Sequence, residues 1–201
     1  MRWIVMMLLF FSPMCFGEQN LKLLIGHNAI ANRIKLVATK IDREYRGEEL
    51  TIIMIMKGAL CVTADLIRNL HTPTRLEYVQ AKSYGEHEPS KGKIKLDGLD
   101  NINITGRNVL IVDDICDSGS TMKLIISHLQ AKKPKSLKSL VLFSKKNSKK
   151  SFYRPNYVLF RMDEVMSKFP KGSKKDQILV GYGIDHNEYL RGLPGIYVYA
   201  E

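Results

Sequence analysis

The sequence is poor in cysteine, and the few cysteines form no pattern. Only three occur among the 201 residues, at Cys15, Cys61 and Cys116. Their number is odd and their spacing is not that of a metal-ligand set, which argues against a disulfide framework. We therefore expect a protein of a reducing compartment.

The sequence also lacks any internal repeat and any recognisable nucleic-acid-binding motif, such as an RNP signature or a zinc finger. Acidic residues are in the minority, because 31 Lys and Arg stand against 20 Asp and Glu and give a formal net charge of +11. This excess favours anionic partners. A small molecule with several phosphoryl groups is one such partner, and nucleic acid is another.

What the sequence does contain is enough apolar residues for one domain. Hydrophobic residues make up 45% of the chain, which at this length can bury a single good core. Strand-like and helix-like segments alternate, which predicts an α/β domain. The predicted strands cover residues 21–25, 50–56, 75–82, 93–96, 109–112, 137–143, 157–160, 178–182 and 196–199, and the predicted helices cover residues 28–45, 59–70 and 122–129.

The most informative segment covers residues 109–121, with the sequence VLIVDDICDSGST. The apolar run VLIV is typical of a strand buried on both faces of a parallel sheet. Asp113 and Asp114 are therefore predicted at the carboxyl end of that strand, where open α/β sheets bind ligands. The loop DSGST is followed by apolar residues at helical spacing, so we expect it to begin a helix.

A loop of this kind can hold an anion. Ser118, Gly119, Ser120 and Thr121 are small, and the unpaired N–H groups of a helix start attract a phosphate. Carboxylates beside a phosphate need other partners, which ribose hydroxyls or a water-bound Mg²⁺ would supply. The alternative is a plain strand end with turn aspartates and Ser118 as helix cap. Three acids within residues 113–117 argue against that alternative.

The segment VDDICDSGST resembles the loop that binds 5-phosphoribosyl 1-pyrophosphate (PRPP) in type I phosphoribosyltransferases. Resemblance to the hypoxanthine-guanine phosphoribosyltransferases extends over nearly the whole chain from Leu21 onward. It includes the motifs MKGA at 56–59, KSY at 82–84, KK at 145–146 and VGYGID at 180–185. The resemblance implies an α/β, type I phosphoribosyltransferase fold, with a central, mainly parallel sheet flanked by helices and a small hood.

The same resemblance implies a reaction of purine salvage. The phosphoribosyl group of PRPP would pass to N9 of hypoxanthine or guanine, giving IMP or GMP and pyrophosphate. Asp117 would act as general base or as hydrogen-bond acceptor at N7. Asp113 and Asp114 would hold the ribose hydroxyls and, with Asp185, bind Mg²⁺. Residues 118–121 would bind the 5′-phosphate.

Two further loops are implied to bind and enclose the pyrophosphate. Lys57 and Gly58 match the pyrophosphate loop, with a cis peptide bond before the lysine, although the pair alone also fits an ordinary strand-to-helix turn. Arg191 matches the arginine that reaches pyrophosphate. Ser83 and Tyr84 resemble a mobile loop that closes over the reacting centre and excludes water. A merely flexible polar loop is the alternative.

The purine would be recognised by residues from two segments. Lys145 matches the lysine that bonds the six-position oxygen, which selects 6-oxopurines over adenine, although most basic runs are solvated. Backbone groups of Leu179 and Val180 would read the two-position edge. Ile178 stands where the family usually has an aromatic residue that stacks on the base. The preference among hypoxanthine, guanine and xanthine therefore stays open.

The sequence leaves two alternative functions open. One is a xanthine-preferring transferase, because of Ile178. The other is a PRPP-responsive nucleic-acid-binding regulator, since one fold can serve several functions and the lysines of residues 168–175 suit phosphate contacts. The complete set of site residues favours the enzyme, so we expect no nucleic-acid partner. The family further implies a homodimer or a homotetramer.

Residues 1–17 differ in character from the rest of the chain. A basic start, a short apolar core and small residues near Gly17 form a signal-like pattern that is too short to span a membrane. A start codon assigned too early is the alternative. We expect a phosphoribosyltransferase domain over residues 18–201, no stable membrane anchoring, and the cytoplasm, where PRPP is made. The basic segment 163–176 is predicted to be a surface insertion.

Overall fold

The computed structural model describes residues 21–83, 94–144, 153–167 and 177–200. The predictions for residues 1–17, Tyr84 and Lys145 lie outside the described residues. No helix in these described ranges is long and apolar enough to cross a membrane. The elements in chain order are β1 (Leu21–Ile25), α1 (His27–Glu44), β2 (Leu50–Met56), α2 (Leu60–Asn69), β3 (Thr74–Ser83), β4 (Ile94–Asp97), β5 (Asn108–Cys116), α3 (Ser120–Ala131), β6 (Ser136–Ser144), β7 (Tyr157–Arg161), α4 (Met162–Met166), β8 (Gln177–Val180) and β9 (Ile196–Ala200).

The strands form two sheets. The larger has six strands in the order β4-β3-β2-β5-β6-β7, and all its pairs are parallel except β3 with β4. The smaller is the antiparallel sheet β1-β9-β8, which we call the hood. The predicted architecture, a mainly parallel sheet with a small hood, is confirmed.

The apolar strands β2 and β5 feed two cores because successive side chains of a strand point to opposite faces. One core packs between the sheet and helices α1 and α2, and it includes Ile52 and Leu110. The other packs between the sheet and α3, and it includes Ile53 and Ile111. With both faces covered, these strands are continuously hydrophobic, as parallel sheets require.

Helix α1 covers the sheet with one apolar stripe. Its residues Ile30, Ile34, Val37 and Ile41 are buried, at the three- and four-residue spacing of one helix face. The predicted helices 28–45 and 59–70 are both confirmed, with each end shifted by one residue. Helix α3 begins and ends two residues outside its predicted range of 122–129.

The prediction that the central strand ends at Val112 was wrong. β5 continues to Cys116 because β6 stays paired with it as far as Ser144, whereas its pairing with β2 stops at Val112. Asp113 and Asp114 therefore lie within β5 but beyond its last partner on β2. One side of this strand end is left open toward the ligand edge of the sheet.

Apart from the ends of β5 and β8, the strand boundaries agree with the predictions to within one residue. β8 ends at Val180 because Gly181 and Tyr182 have φ angles of 96° and 51°, which turn the chain out of the sheet. The described start of the predicted surface insertion is the short helix α4, which the sequence did not reveal. Its Val165 is half-buried against the core beneath α1, whereas Glu164 and Ser167 are exposed.

Candidate active site

The residues predicted to bind PRPP and Mg²⁺ meet at the carboxyl edge of the parallel sheet, around two adjoining cavities. The smaller, of about 110 Å³, lies over the loop between β5 and α3. The larger, of about 270 Å³, lies between the end of β2, the end of β5 and the segment after β8. The residues that line both cavities are Asp113, Ile115 and Thr121.

The smaller cavity lies over a loop that begins a helix. Gly119 is the N-cap of α3 with φ of 77°, a left-handed conformation that glycine adopts without steric cost. The backbone N–H of Ser120 donates to Ser118 Oγ at 3.3 Å, and the two hydroxyl oxygens are 2.9 Å apart. The first turn of α3 contains no acidic residue. No carboxylate of the helix itself therefore competes for the N–H groups and dipole of this helix start, although Asp113 and Asp117 also line the cavity.

Tyr153 supports this loop from behind, which the sequence did not predict. A Cβ on Gly119 would lie 2.8 Å from Tyr153 Cβ and 3.0 Å from its backbone nitrogen. The Tyr153 hydroxyl lies 2.9 Å from Ser139 Oγ and 3.4 Å from Asn156 Oδ1. Burial raises the pKa of the Tyr153 hydroxyl. Glycine at position 119 is thus required by close approach as well as by its φ.

The carboxylates of β5 occupy an environment that disfavours their charge. Asp113 is only 8% exposed; burial first, and then the neighbouring Asp114 carboxylate, raises its pKa well above the usual range. Burial also raises the pKa of Asp114, against the lowering effect of hydrogen bonds and of Arg191. Asp117 lies in the loop and is exposed. A cation or hydroxyl donors from a ligand would relieve the two buried groups.

Gly58 lets three segments of the site come together. A Cβ on Gly58 would lie 1.8 Å from Asp114 Oδ2, and a Cβ on Gly183 would lie 2.2 Å from the Gly58 carbonyl oxygen. The peptide bond between Met56 and Lys57 is cis, as the family resemblance implied. The end of β2 is therefore packed between β5 and the segment after β8.

Arg191 and Lys57 place two cations at the larger cavity. An Arg191 Nη2 lies 2.8 Å from Asp185 Oδ1, and Nη1 donates to the Gly183 carbonyl at 2.8 Å. Lys57 Nζ donates to Glu188 Oε2 at 2.8 Å, and the same oxygen lies 3.3 Å from Arg191 Nη2. The structure brings together the predicted Lys57, Arg191 and Asp185. The contact of Glu188 with these cations was not predicted from the sequence. Its only signal there is the position of Glu188 three residues before Arg191.

The structure describes only some of the residues that were predicted to bind the purine, and these do not line the two cavities. Ile178, Leu179 and Val180 lie on β8 of the hood, where they pair with β9. Val180 is buried and Leu179 packs against the core beneath α1. Among the described residues that line the two cavities, none is from β8. Of the two residues predicted for the mobile loop, the structure describes only Ser83, which is the last residue of β3.

The acids suit a Mg²⁺ ion that arrives with substrate. In the described ranges no group of three or more His, Cys, Asp or Glu could hold a metal ion unaided. Mg²⁺ often uses only one or two carboxylates and takes its remaining ligands from water and phosphate oxygens. Asp113 and Asp114 can supply such carboxylates, whereas Asp185 is engaged by Arg191 and by the N–H of Glu188. The residues therefore fit a metal shared with a phosphorylated ligand.

A third cavity, of about 480 Å³, lies at the opposite edge of the sheet and shares no residue with the two cavities of the site. Its carboxylate, Asp42, accepts hydrogen bonds from the backbone and side chains of His71 and Thr72. Burial opposes the effect of these bonds, which on balance lower the pKa of Asp42. Asp42 therefore ties α1 to the start of β3, and it has no part in the site described above.

A loop at a helix start, the carboxylates of Asp113 and Asp114, and the cations Lys57 and Arg191 thus lie together at one edge of the sheet. The family model for the phosphoribosyl transferase domain matches residues 23–175. A hypoxanthine-guanine phosphoribosyltransferase of Aquifex aeolicus is 39% identical over 181 residues, which covers 90% of this chain and 95% of that protein.

Solved structures agree. A hypoxanthine-guanine phosphoribosyltransferase from Bacillus anthracis, crystallised with HEPES in its active site, is 34% identical with a TM-score of 0.74 and covers 88% of this chain and 97% of its own. A Trypanosoma cruzi hypoxanthine phosphoribosyltransferase variant, in a ternary substrates complex, is 29% identical with a TM-score of 0.75, at coverages of 90% and 95%. This chain belongs to the phosphoribosyltransferase family, and within it to the hypoxanthine-guanine phosphoribosyltransferases.

Proposed function

We propose that the protein is a purine salvage enzyme that transfers the phosphoribosyl group of PRPP to N9 of hypoxanthine or guanine. The products are IMP or GMP and pyrophosphate. The observation that carries this proposal is the pair of adjoining cavities, one at the helix-start loop and one at Lys57 and Arg191, with Asp113 lining both. PRPP has a phosphate at one end of its ribose and a pyrophosphate at the other, so its two anionic groups suit the two cavities.

In this proposal the smaller cavity holds the 5′-phosphate. The backbone amides and hydroxyls of residues 118–121 donate to its oxygens, and the dipole of α3 favours its charge. Asp113 and Asp114 accept hydrogen bonds from the ribose hydroxyls. Because Asp113 is buried and its carboxylate is repelled by that of Asp114, hydrogen bonds from the ligand would offset the cost of burying this charge.

Asp117 is proposed as the group that acts on the base. It is exposed at the start of the phosphate loop, close in sequence to the carboxylates that hold the ribose. There it would accept the proton, or a hydrogen bond, at N7 of the purine while N9 attacks the anomeric carbon. The C–N bond forms as the C–O bond to pyrophosphate breaks, and pyrophosphate leaves with the electron pair.

Stabilisation of the leaving pyrophosphate is proposed as the largest catalytic contribution. Lys57 and Arg191 lie at the larger cavity and would donate to pyrophosphate oxygens, with the N–H groups around Gly58. Asp113 and Asp114, with Asp185 as a further candidate, would hold Mg²⁺. When bound, this ion neutralises charge on the pyrophosphate and ribose oxygens.

The purine and the closure of the site rest on residues taken from the family resemblance. Lys145 is proposed to donate to the six-position oxygen, and backbone groups of Leu179 and Val180 to read the two-position edge. Ile178 would cover the face of the base. Residues 83 and 84 are proposed to close over the reacting centre and exclude water. We also propose a homodimer or homotetramer, located in the cytoplasm.

The test is a steady-state assay of the full-length protein with PRPP and Mg²⁺ against hypoxanthine, guanine, xanthine and adenine. Turnover of hypoxanthine or guanine supports the proposal, and a preference for xanthine would correct the base. Asp117→Asn should lower kcat by about 100-fold or more, the usual contribution of a general base. Asp100→Asn, which alters an exposed carboxylate remote from both cavities, is the matched control. Absence of turnover with all four bases would refute the proposal.

A further inference from the structure

One oxygen of Glu188 bridges the two cations of the larger cavity. Glu188 Oε2 lies 2.8 Å from Lys57 Nζ and 3.3 Å from Arg191 Nη2. Lys57 follows β2 and Arg191 follows β8, so these cations come from distant parts of the chain. A single anionic oxygen between an ammonium and a guanidinium is also what a pyrophosphate oxygen would provide.

The backbone holds Glu188 at this position. Asn187, Glu188 and Leu190 have φ angles of 51°, 71° and 69°, which non-glycine residues rarely adopt and which persist where surrounding structure enforces them. The N–H of Glu188 donates to Asp185 Oδ2 at 2.8 Å. The turn is thus fixed at its main chain, while the Glu188 side chain is 63% exposed and has room to rotate away.

The charge state of Glu188 suits this bridging contact. Hydrogen bonds from Lys57 and then from Arg191 lower the pKa of the Glu188 carboxyl, so it is ionised at neutral pH. Two cations facing one cavity repel each other, and the carboxylate between them offsets that repulsion. Because both Lys57 and Glu188 are more than half exposed, the ion pair is weak and a more highly charged anion can displace it.

We propose that Glu188 is a positioning residue whose carboxylate substitutes for pyrophosphate in the substrate-free site and leaves Lys57 and Arg191 when pyrophosphate binds. This inference rests on the proposed function. The Glu188 carboxylate competes with pyrophosphate for the same donors and, once displaced, still repels it. Both effects weaken pyrophosphate binding, so Glu188 promotes release of this product.

The test is calorimetric titration of the full-length protein with inorganic pyrophosphate and Mg²⁺. Glu188→Gln should bind pyrophosphate roughly three- to tenfold more tightly than wild type, the range expected from losing two exposed ion pairs. Glu188→Asp keeps the charge but shortens the reach, so it should also bind more tightly than wild type. In steady-state kinetics, Glu188→Gln should lower KM for PRPP without raising kcat. Loss of folded protein would instead lower the apparent kcat and leave KM unchanged.

Glu49→Gln is the matched control. Glu49 is 66% exposed and pairs with Arg75 at 3.3 Å, so the control removes the same charge from a similar ion pair at the opposite edge of the sheet. Its affinity for pyrophosphate should equal that of wild type. Wild-type affinity or weaker binding in Glu188→Gln overturns the inference, provided that wild type binds pyrophosphate. If wild type neither binds pyrophosphate nor turns over a base, the proposed function itself fails.

Discussion

Gly58 and the carboxylate of Asp114 are in direct contact, with no room for a side chain between them. A Cβ at position 58 would lie 1.8 Å from Asp114 Oδ2 and 2.4 Å from its Cγ. Gly58→Ala must therefore displace Asp114 or the end of β2. Because such shifts of about 1 Å can cost 100-fold in rate, we expect kcat/KM for PRPP to fall by about that factor. Steady-state kinetics with varied PRPP measures the effect.

The control for this prediction is a second glycine of the same region. A Cβ on Gly192 would meet no atom within 4 Å, although Gly192 directly follows Arg191. Gly192→Ala should keep kcat/KM within about twofold of wild type, as expected for a surface substitution away from special features. Equal losses in both variants would show that the contact between Gly58 and Asp114 is unimportant.

The buried carboxylate of Asp113 should lower the stability of the protein in the absence of substrate. Burial raises its pKa in the folded state, so the folded protein binds this proton more tightly than the unfolded chain does. Stability contributed by the protonated group is therefore lost as pH rises from the ordinary aspartate pKa near 4 through the raised folded value. Asp113→Asn keeps the acceptor for the Asp114 N–H and removes the charge. We expect it to be about 1 kcal/mol more stable than wild type at pH 8.

This difference should shrink toward pH 4, where the folded Asp113 is protonated and the unfolded one about half so. Urea unfolding at pH 4, 6 and 8 measures it. The same variant should lose transferase activity by about 100-fold or more, because the carboxylate that would hold ribose is gone. Asp100→Asn changes an exposed carboxylate and should show no pH-dependent gain. A destabilised Asp113→Asn at pH 8 would contradict the argument.

The elements of this fold could be predicted because their signals are local. β2 is an unbroken apolar run, and α1 repeats Ile30, Ile34, Val37 and Ile41 at helical spacing. The loop that begins α3 was equally predictable, since Gly119 and its small neighbours directly follow a buried strand. The end of β5 was not predictable, because it depends on how far β6 continues beside it. That length is a property of the sheet and not of residues 109–112.

The contacts between residues of the site that are distant in the chain could not be predicted from the sequence. Glu188 meets Lys57 only because the turn after β8 folds back on the end of β2. Tyr153 meets Gly119 only because β6 pairs with β5 and the segment before β7 lies beside them. Neither contact has a motif, since exposed glutamates and tyrosines occur throughout the chain. The sequence thus predicted candidate residues for the site, and tertiary contacts decide what holds them.

Tyr153 should control how firmly the phosphate loop is held. Tyr153→Ala keeps the Cβ and backbone atoms that lie against Gly119. It removes the ring and the hydroxyl contacts with Ser139 and Asn156, which hold Tyr153 in place behind the loop. We expect KM for PRPP to rise about tenfold with a smaller change in kcat, because the loop contacts bound phosphate in ground and transition states alike. Tyr153→Phe keeps the packing against Gly119 and should stay within about threefold of wild type. Similar losses in both variants would assign the effect to the hydroxyl and not to the packing.

Lys132 should stabilise the fold without affecting the reaction. Its ammonium donates to the carbonyl oxygens of Leu99, Asp100 and Ile102 at 2.5, 3.0 and 2.9 Å, which joins the end of α3 to the segment before β5. Lys132→Met keeps most of the side-chain length but leaves these carbonyls without the charged donor, so we expect a loss of about 2 kcal/mol in the free energy of unfolding. Urea denaturation measures it, with Lys40→Met on the exposed face of α1 as a control that should change stability by less than about 0.5 kcal/mol. KM for PRPP should be unchanged in both variants, because Lys132 lines neither cavity of the site; equal stability of the two variants would refute the role of the ammonium.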